Sequence, residues 1–328
     1  MPSLANFFHT QLILKIPLPT SSFEAKTVIV TGANGGLGKE IVKHLIRLGA
    51  DKIIFACRSQ SRGEEAKAEI EAVTHCDPAI IQVWTLDVAS SSSIKAFVDK
   101  VNTLPRLDVV INNAGIGASS KVQVYGTEST LGINVIGTFL LAVQLIPKLR
   151  ETARKYETTP HMTFVGSALY DIAKYPENHG DDIFSWFSDD AHFDKTNQYN
   201  LSKLLQLYAV IKMCAAIDPV EKTNLRPIVV NSLDPCFCKT GLVGGLTGVA
   251  RIFFNIFQAM FARTAEEGSR LVVQAAAAGR KTHGLYLRAG EVQAYAPIAL
   301  DNEKATCVWE TLCKRLEQIQ PGVLENLN

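Results

Sequence analysis

Residues Thr31–Glu40 read TGANGGLGKE, and the meaning of this glycine cluster depends on what stands on either side of it. Before it, Thr27–Thr31 (TVIVT) is a short β-branched run; after it, Leu37, Ile41, Leu45 and Leu48 recur at helical spacing. That patterning predicts a strand, a glycine turn and a helix in succession. In this setting TGxxxGxG, with Gly32, Gly36 and Gly38, reads as a dinucleotide fingerprint rather than a flexible turn. Glycine lacks a Cβ, so backbone amides can approach a pyrophosphate at the positive end of the helix.

Outward from the cradle the alternation continues. Strand-like runs are predicted at Lys52–Cys57 (KIIFAC), 80–86, within LDVVINNAG at 107–115, at 161–166 and at 227–232, with helix candidates at 62–73, 91–101, 128–150 and 197–214 between them. Strands alternating with helices predict an α/β fold, a doubly wound parallel sheet covered on both faces. No repeat or second set of elements divides the chain. The expected organisation is one domain over 26–328 with an N-terminal arm, 1–25, packing Phe7, Phe8, Leu12 and Ile16 onto it.

Composition narrows the function classes. With 328 residues and 47% hydrophobic content the chain can bury a substantial core. The 33 basic and 32 acidic residues nearly cancel, so no overall field attracts nucleic acid. Seven cysteines without CxxC or zinc spacing imply a reducing, cytoplasmic setting and no metal. The first residues lack a basic leader, and their apolar run falls short of the roughly 20 residues that span a bilayer.

Three motifs in series, TGANGGLG, NNAG at Asn112–Gly115 and YNLSK at Tyr199–Lys203, resemble the short-chain dehydrogenase/reductase family over about residues 23–287. The N-terminal arm, ACRS after the second strand and YxxSKLL resemble its retinol-dehydrogenase-like branch, common in fungal secondary metabolism. The resemblance implies a Rossmann fold and a nicotinamide cofactor. It places Gly32, Asn34, Gly36, Leu37 and Gly38 on the pyrophosphate side, Asp87 and Val88 near the adenine, and Asn113, Ala114 and Gly115 near the ribose. By the same resemblance Tyr199, Lys203, Pro235 and Cys238 also belong to the cofactor site, and Thr240 helps hold the carboxamide or the pyrophosphate.

Cofactor choice also has a physical argument. An acidic residue past the glycines binds the ribose 2′-hydroxyl of NAD, whereas an arginine accommodates the 2′-phosphate of NADP. The second strand ends in Arg58 and Ser59 with no carboxylate, which favours NADP(H).

Tyr199 and Lys203 are four apart on a predicted helix and share a face. A free phenol has a pKa of about 10, and a nearby ammonium is expected to lower it. The resemblance makes Tyr199 the proton donor or acceptor, Lys203 the holder of the ribose hydroxyls, Ser167 the hydrogen-bond partner of the substrate oxygen, and Asn134 the organiser of a water beside the lysine. Taken singly, each has an ordinary rival: a surface tyrosine and lysine, a small residue at a strand end, a polar residue on a helix. Their joint occurrence in order favours catalysis.

Two departures from the family pattern stand out. Cys236 replaces the glycine that usually follows Pro235, with Asp234 beside it; and residues 168–197 form a long acidic insert, expected to be a solvated loop near the substrate mouth. The resemblance makes about 239–262 a helical lid; its Ile and Phe suit a bulky hydrophobic carbonyl or alcohol substrate, with completion of the core, membrane contact or a homodimer as rival uses. The sequence reading is thus an NADP(H)-dependent oxidoreductase. A non-redox cyclase or isomerase of the same fold, kept open by Asp234 and Cys236, and an NADP-sensing binding protein are the alternatives; sensors of this fold typically lose the tyrosine, which this chain retains.

Overall fold

The computed structural model describes residues 7–117, 122–218, 227–239, 255 and 257–328. Strands β1 (Thr27–Thr31), β2 (Lys52–Cys57), β3 (Ile81–Thr85), β4 (Val109–Asn112), β7 (His161–Val165), β8 (Val229–Asp234), β9 (Tyr286–Arg288) and β10 (Glu291–Gln293) form one sheet, in the order β10-β9-β8-β7-β4-β1-β2-β3. All its pairings are parallel except β9 with β10. Strands β5 (Gln123–Val124) and β6 (Thr127–Glu128) make a separate small hairpin.

A strand's side chains alternate between faces, and here both faces are apolar because both are covered. Ile29, Ile54 and Val110 enter a core with Phe97 of α3 (Ser91–Asn102), Phe139 of α4 (Thr138–Lys155), Leu205 of α5 (Gln198–Ile217) and Val308 of α7 (Asn302–Ile319). Their neighbours Val28, Val30, Ile53 and Phe55 enter a second core with Ile41 of α1 (Gly36–Arg47), Ile70 of α2 (Gln60–Thr74) and Val272 of α6 (Ala265–Ala276). This is the doubly wound parallel sheet that the motifs imply. Ser129–Lys155 is long and apolar enough to cross a membrane, yet 94% of its apolar window is buried against the protein, as befits a core helix.

Three regions add to the sequence reading. The segment Gly132–Gly137, ahead of α4, winds as a π-helix. The insert is not simply a solvated loop: Ile183 and Phe184 are fully buried in the first core. Asn197 closes its base, accepting from the Lys174 N–H and donating to the Lys174 carbonyl, both at 2.8 Å. At its middle, Asp182 accepts from Arg315 of α7 at 2.6 Å. The N-terminal arm meets α6 through the buried Arg263, whose guanidinium donates to the carbonyls of Thr10 and Leu14 and pairs with Glu267. The proposed lid falls mostly on 240–254 and 256, outside the described residues.

Candidate active site

The residues singled out in the sequence gather at the carboxyl ends of the parallel strands, on both sides of the switch point between β1 and β4. Gly32, Asn34, Gly36, Leu37 and Gly38 lie on the turn from β1 into α1 and on its first turn; Arg58 and Ser59 follow β2; Asp87 and Val88 follow β3; Asn113, Ala114 and Gly115 follow β4. Ser167 follows β7, and Pro235 and Cys238 follow β8. Thr240 lies outside the described residues.

The glycine turn fits a bound pyrophosphate on its own geometry. α1 begins without a side-chain cap and without an acidic residue in its first turn, leaving its leading N–H groups for an anion. The turn is pinned from β4: Asn113 Nδ2 donates to the Thr31 carbonyl at 2.9 Å, and Thr31 Oγ1 accepts from Ala114 N at 2.9 Å. Asn112 adds a buried amide whose oxygen and nitrogen have no partner among the described residues. Arg58 is exposed and makes no ion pair among the described residues. Ser59 is partly committed: it caps α2 by accepting from Arg62 N. Asp87 accepts from Ala89 N at 3.0 Å, and the Val88 carbonyl accepts from the Tyr125 hydroxyl at 3.0 Å.

On α5, Tyr199 and Lys203 face the same place, the Lys203 Nζ standing 5.8 Å from the Tyr199 ring centroid. The Ser167 side chain hydrogen-bonds the Tyr199 phenol. Lys203 Nζ donates to the Val165 carbonyl at 2.8 Å and to Gln206 Oε1 at 3.3 Å. Asn134 spends its side chain on the loop after β4: Oδ1 accepts from Ile116 N and Nδ2 donates to the Ile116 carbonyl, both at 2.9 Å. Its main-chain carbonyl accepts from Gln206 Nε2 at 3.0 Å. Sequence reasoning passed over Gln206, although its position three residues after Lys203 puts it on the same helical face.

The electrostatics correct one expectation. Burial pushes the Tyr199 phenol above its ordinary range, the Ser167 hydrogen bond opposes that shift, and the Asp234 charge reinforces it. Burial dominates the phenol despite the neighbouring lysine, and it also brings the Lys203 ammonium down to about 8. Desolvation outweighs the pairing that spacing alone implies.

Asp234 and Cys236 are held in the scaffold. Cys236 keeps a left-handed backbone at φ 68°, its N–H donating to Asp234 Oδ1 at 3.2 Å. Asp234 also accepts from the backbone of Ala168 and pairs with Arg288 at 3.6 Å. Burial raises the Asp234 carboxyl, which Arg288 partly offsets, and pushes the Cys236 thiol up to about 12. Cys236 therefore holds a backbone conformation that glycine adopts freely, and its thiol stays protonated at neutral pH. One residue beyond Ser167 opens a cavity of about 220 Å³ lined by Ala168, Tyr170, Asp171, Tyr286, Arg288 and Gln293. His179 and His192 are engaged by Tyr175 and by the Trp186 carbonyl, and no cluster of metal-ligating side chains occurs among the described residues.

Known proteins share this fold and much of this sequence. A family model described as short chain dehydrogenase matches residues 26–155. A short chain dehydrogenase/reductase of Cryptosporiopsis sp. (strain 8999) is 36% identical over 98% of this chain and 99% of its own. The fold matches a 3-ketoacyl-(acyl-carrier-protein) reductase from Brucella melitensis solved with NADH (TM-score 0.59, 19% identity, 81% of this chain and 97% of that one). It also matches Pseudomonas aeruginosa RhlG solved with NADP (TM-score 0.59, 19% identity, 85% and 98%). The strand order, the glycine turn and the full-length likeness to the Cryptosporiopsis protein place this chain in the short-chain dehydrogenase/reductase family of oxidoreductases.

Proposed function

We propose that this chain is an NADP(H)-dependent oxidoreductase acting on a ketone or secondary alcohol of a bulky hydrophobic metabolite in secondary metabolism. The observation that carries the reading is the convergence of Ser167, Tyr199 and Lys203 beside the glycine turn at the strand ends. When bound, the reduced nicotinamide supplies hydride to the substrate carbon. Ser167 and Tyr199 converge on the substrate oxygen, and Tyr199, kept protonated by burial, gives up its proton as negative charge develops there. Lys203, anchored by Val165 and Gln206, uses two of its three donors on the protein and keeps one for the ribose hydroxyls. The cavity beyond Ser167 supplies polar contacts at one end of the substrate, from Arg288, Gln293 and Asp171.

The preference for NADP(H) rests on Arg58, exposed at the end of β2 with no carboxylate in the same place. Asp234 and Cys236, the residues that kept a non-redox reading open, are engaged in backbone and ion-pair contacts. The seven cysteines, all free, fit a reducing cytoplasm.

The test is deuterium transfer from 4-deuterated NADPH, each face labelled separately, into a mixture of hydrophobic carbonyl compounds. Label is expected in one product with wild type and in none with Tyr199→Phe, which should still bind NADPH. Full transfer by Tyr199→Phe sinks the mechanism. Arg58→Asp should weaken NADPH far more than NADH; equal weakening removes Arg58 from the phosphate site.

A further inference from the structure

One buried side chain joins the lysine of the site to the π-helical turn that carries Asn134. Gln206 is 2% exposed, and its carboxamide uses both ends: Oε1 accepts from Lys203 Nζ, and Nε2 donates to the Asn134 main-chain carbonyl. The amide's orientation is fixed by its neighbours, since an ammonium can only donate and a carbonyl can only accept. A flipped amide would set donor against donor.

The π-turn makes the carbonyl available. Thr138, the α-helical partner of Asn134, directs its N–H to the carbonyls of Ile133 and Val135 instead. Such turns recur at functional sites because they release backbone groups from the regular ladder. Gly115 also neighbours the ammonium: a Cβ there would lie 3.9 Å from Nζ and 3.1 Å from Asn134 Oδ1. Lys203 is therefore held by Val165 and Gln206, with Gly115 as a further neighbour.

We propose that Gln206 is a positioning residue, a neutral clamp that ties the Lys203 ammonium to the Asn134 carbonyl and aims its remaining donor at the cofactor side. The inference rests on the reading of Lys203 as part of the active site. A neutral acceptor fixes the ammonium without adding a counter-charge. Among the described residues no carboxylate pairs with Lys203: Tyr199 shares its helix, Asp234 at the end of β8 acts on Tyr199, and Asp234 is itself paired with Arg288 of β9. Burial is thus left to set the lysine's proton affinity.

The experiment uses cofactor-free protein with isotopically labelled lysines, the Lys203 resonance assigned through Lys203→Arg and titrated by NMR from about pH 6 to about pH 11. Wild type should titrate at about 8. Gln206→Glu, near-isosteric but charged, should raise the midpoint by at least about one unit, and Gln206→Met, which keeps volume and removes the acceptor, should lower it. A merely structural role would leave both midpoints in place, and unchanged midpoints in the two folded variants overturn the proposal. In deuterium transfer from NADPH, Gln206→Met should lower kcat about ten-fold or more with a smaller change in KM. Because the titration is read without cofactor, a shifted lysine with no hydride transfer in wild type would retire the redox reading and leave the clamp intact.

Discussion

After β1, a Cβ placed on Gly38 would stand 2.3 Å from the Gly32 carbonyl oxygen and 2.8 Å from Ala33 Cα, whereas after β8 a cysteine occupies a left-handed position at φ 68°. At Gly38 the demand is for space: α1 packs so closely on the strand end that no side chain fits. In the second turn it is only for a dihedral angle, and a non-glycine residue there costs about 1–2 kcal/mol. The Asp234 carboxylate receiving the Cys236 N–H, together with burial of the thiol, offsets that strain. A residue other than glycine can thus hold such a turn when angle, not contact, is what the turn requires.

The sharpest way to break this contrast is Gly38→Ala. It should destabilise the protein by more than about 3 kcal/mol or expel the turn from its place, with NADPH binding lost; thermal unfolding and fluorescence titration read both. Wild-type affinity in that variant would show that the first turn also has room. Next in size is Asp234→Ala, which leaves the Cys236 and Ala168 N–H groups and the Arg288 guanidinium without their acceptor. A loss of about 2–3 kcal/mol is expected in denaturant unfolding. A smaller effect separates two substitutions at one position: Cys236→Val, β-branched at positive φ, should cost about 2 kcal/mol, while Cys236→Gly should stay within about 1 kcal/mol of wild type. If valine and glycine behave alike, the second turn is not governed by its dihedral angle.

The same division between local and distant demands decides what was legible in the sequence. Thr27–Leu48 announces its strand, turn and helix because every signal lies within neighbouring residues, and Tyr199 with Lys203 is legible from helical spacing. Strands β9 and β10 have three residues each, too few for periodicity to show. Arg288 joins the site only because β9 pairs with β8. The acidic insert looks solvated by composition, yet Asp182 meets Arg315 from 133 residues away, and Ile183 and Phe184 then anchor it in the core. The raised phenol of Tyr199 was misjudged for a related reason: spacing shows the lysine nearby but not the burial that outweighs it.

The N-terminal arm brings a consequence in time. Its Thr10 carbonyl is held by Arg263, 253 residues later in the chain. At about 5–20 residues per second, Thr10 leaves the ribosome on the order of ten seconds or more before Arg263 does. Until then Leu12 and Ile13, still 57% and 68% exposed in the folded protein, have no anchored backbone beside them. Thr10 is thus synthesised well before the residue that holds its carbonyl, an interval in which a chaperone that shields short apolar stretches can bind.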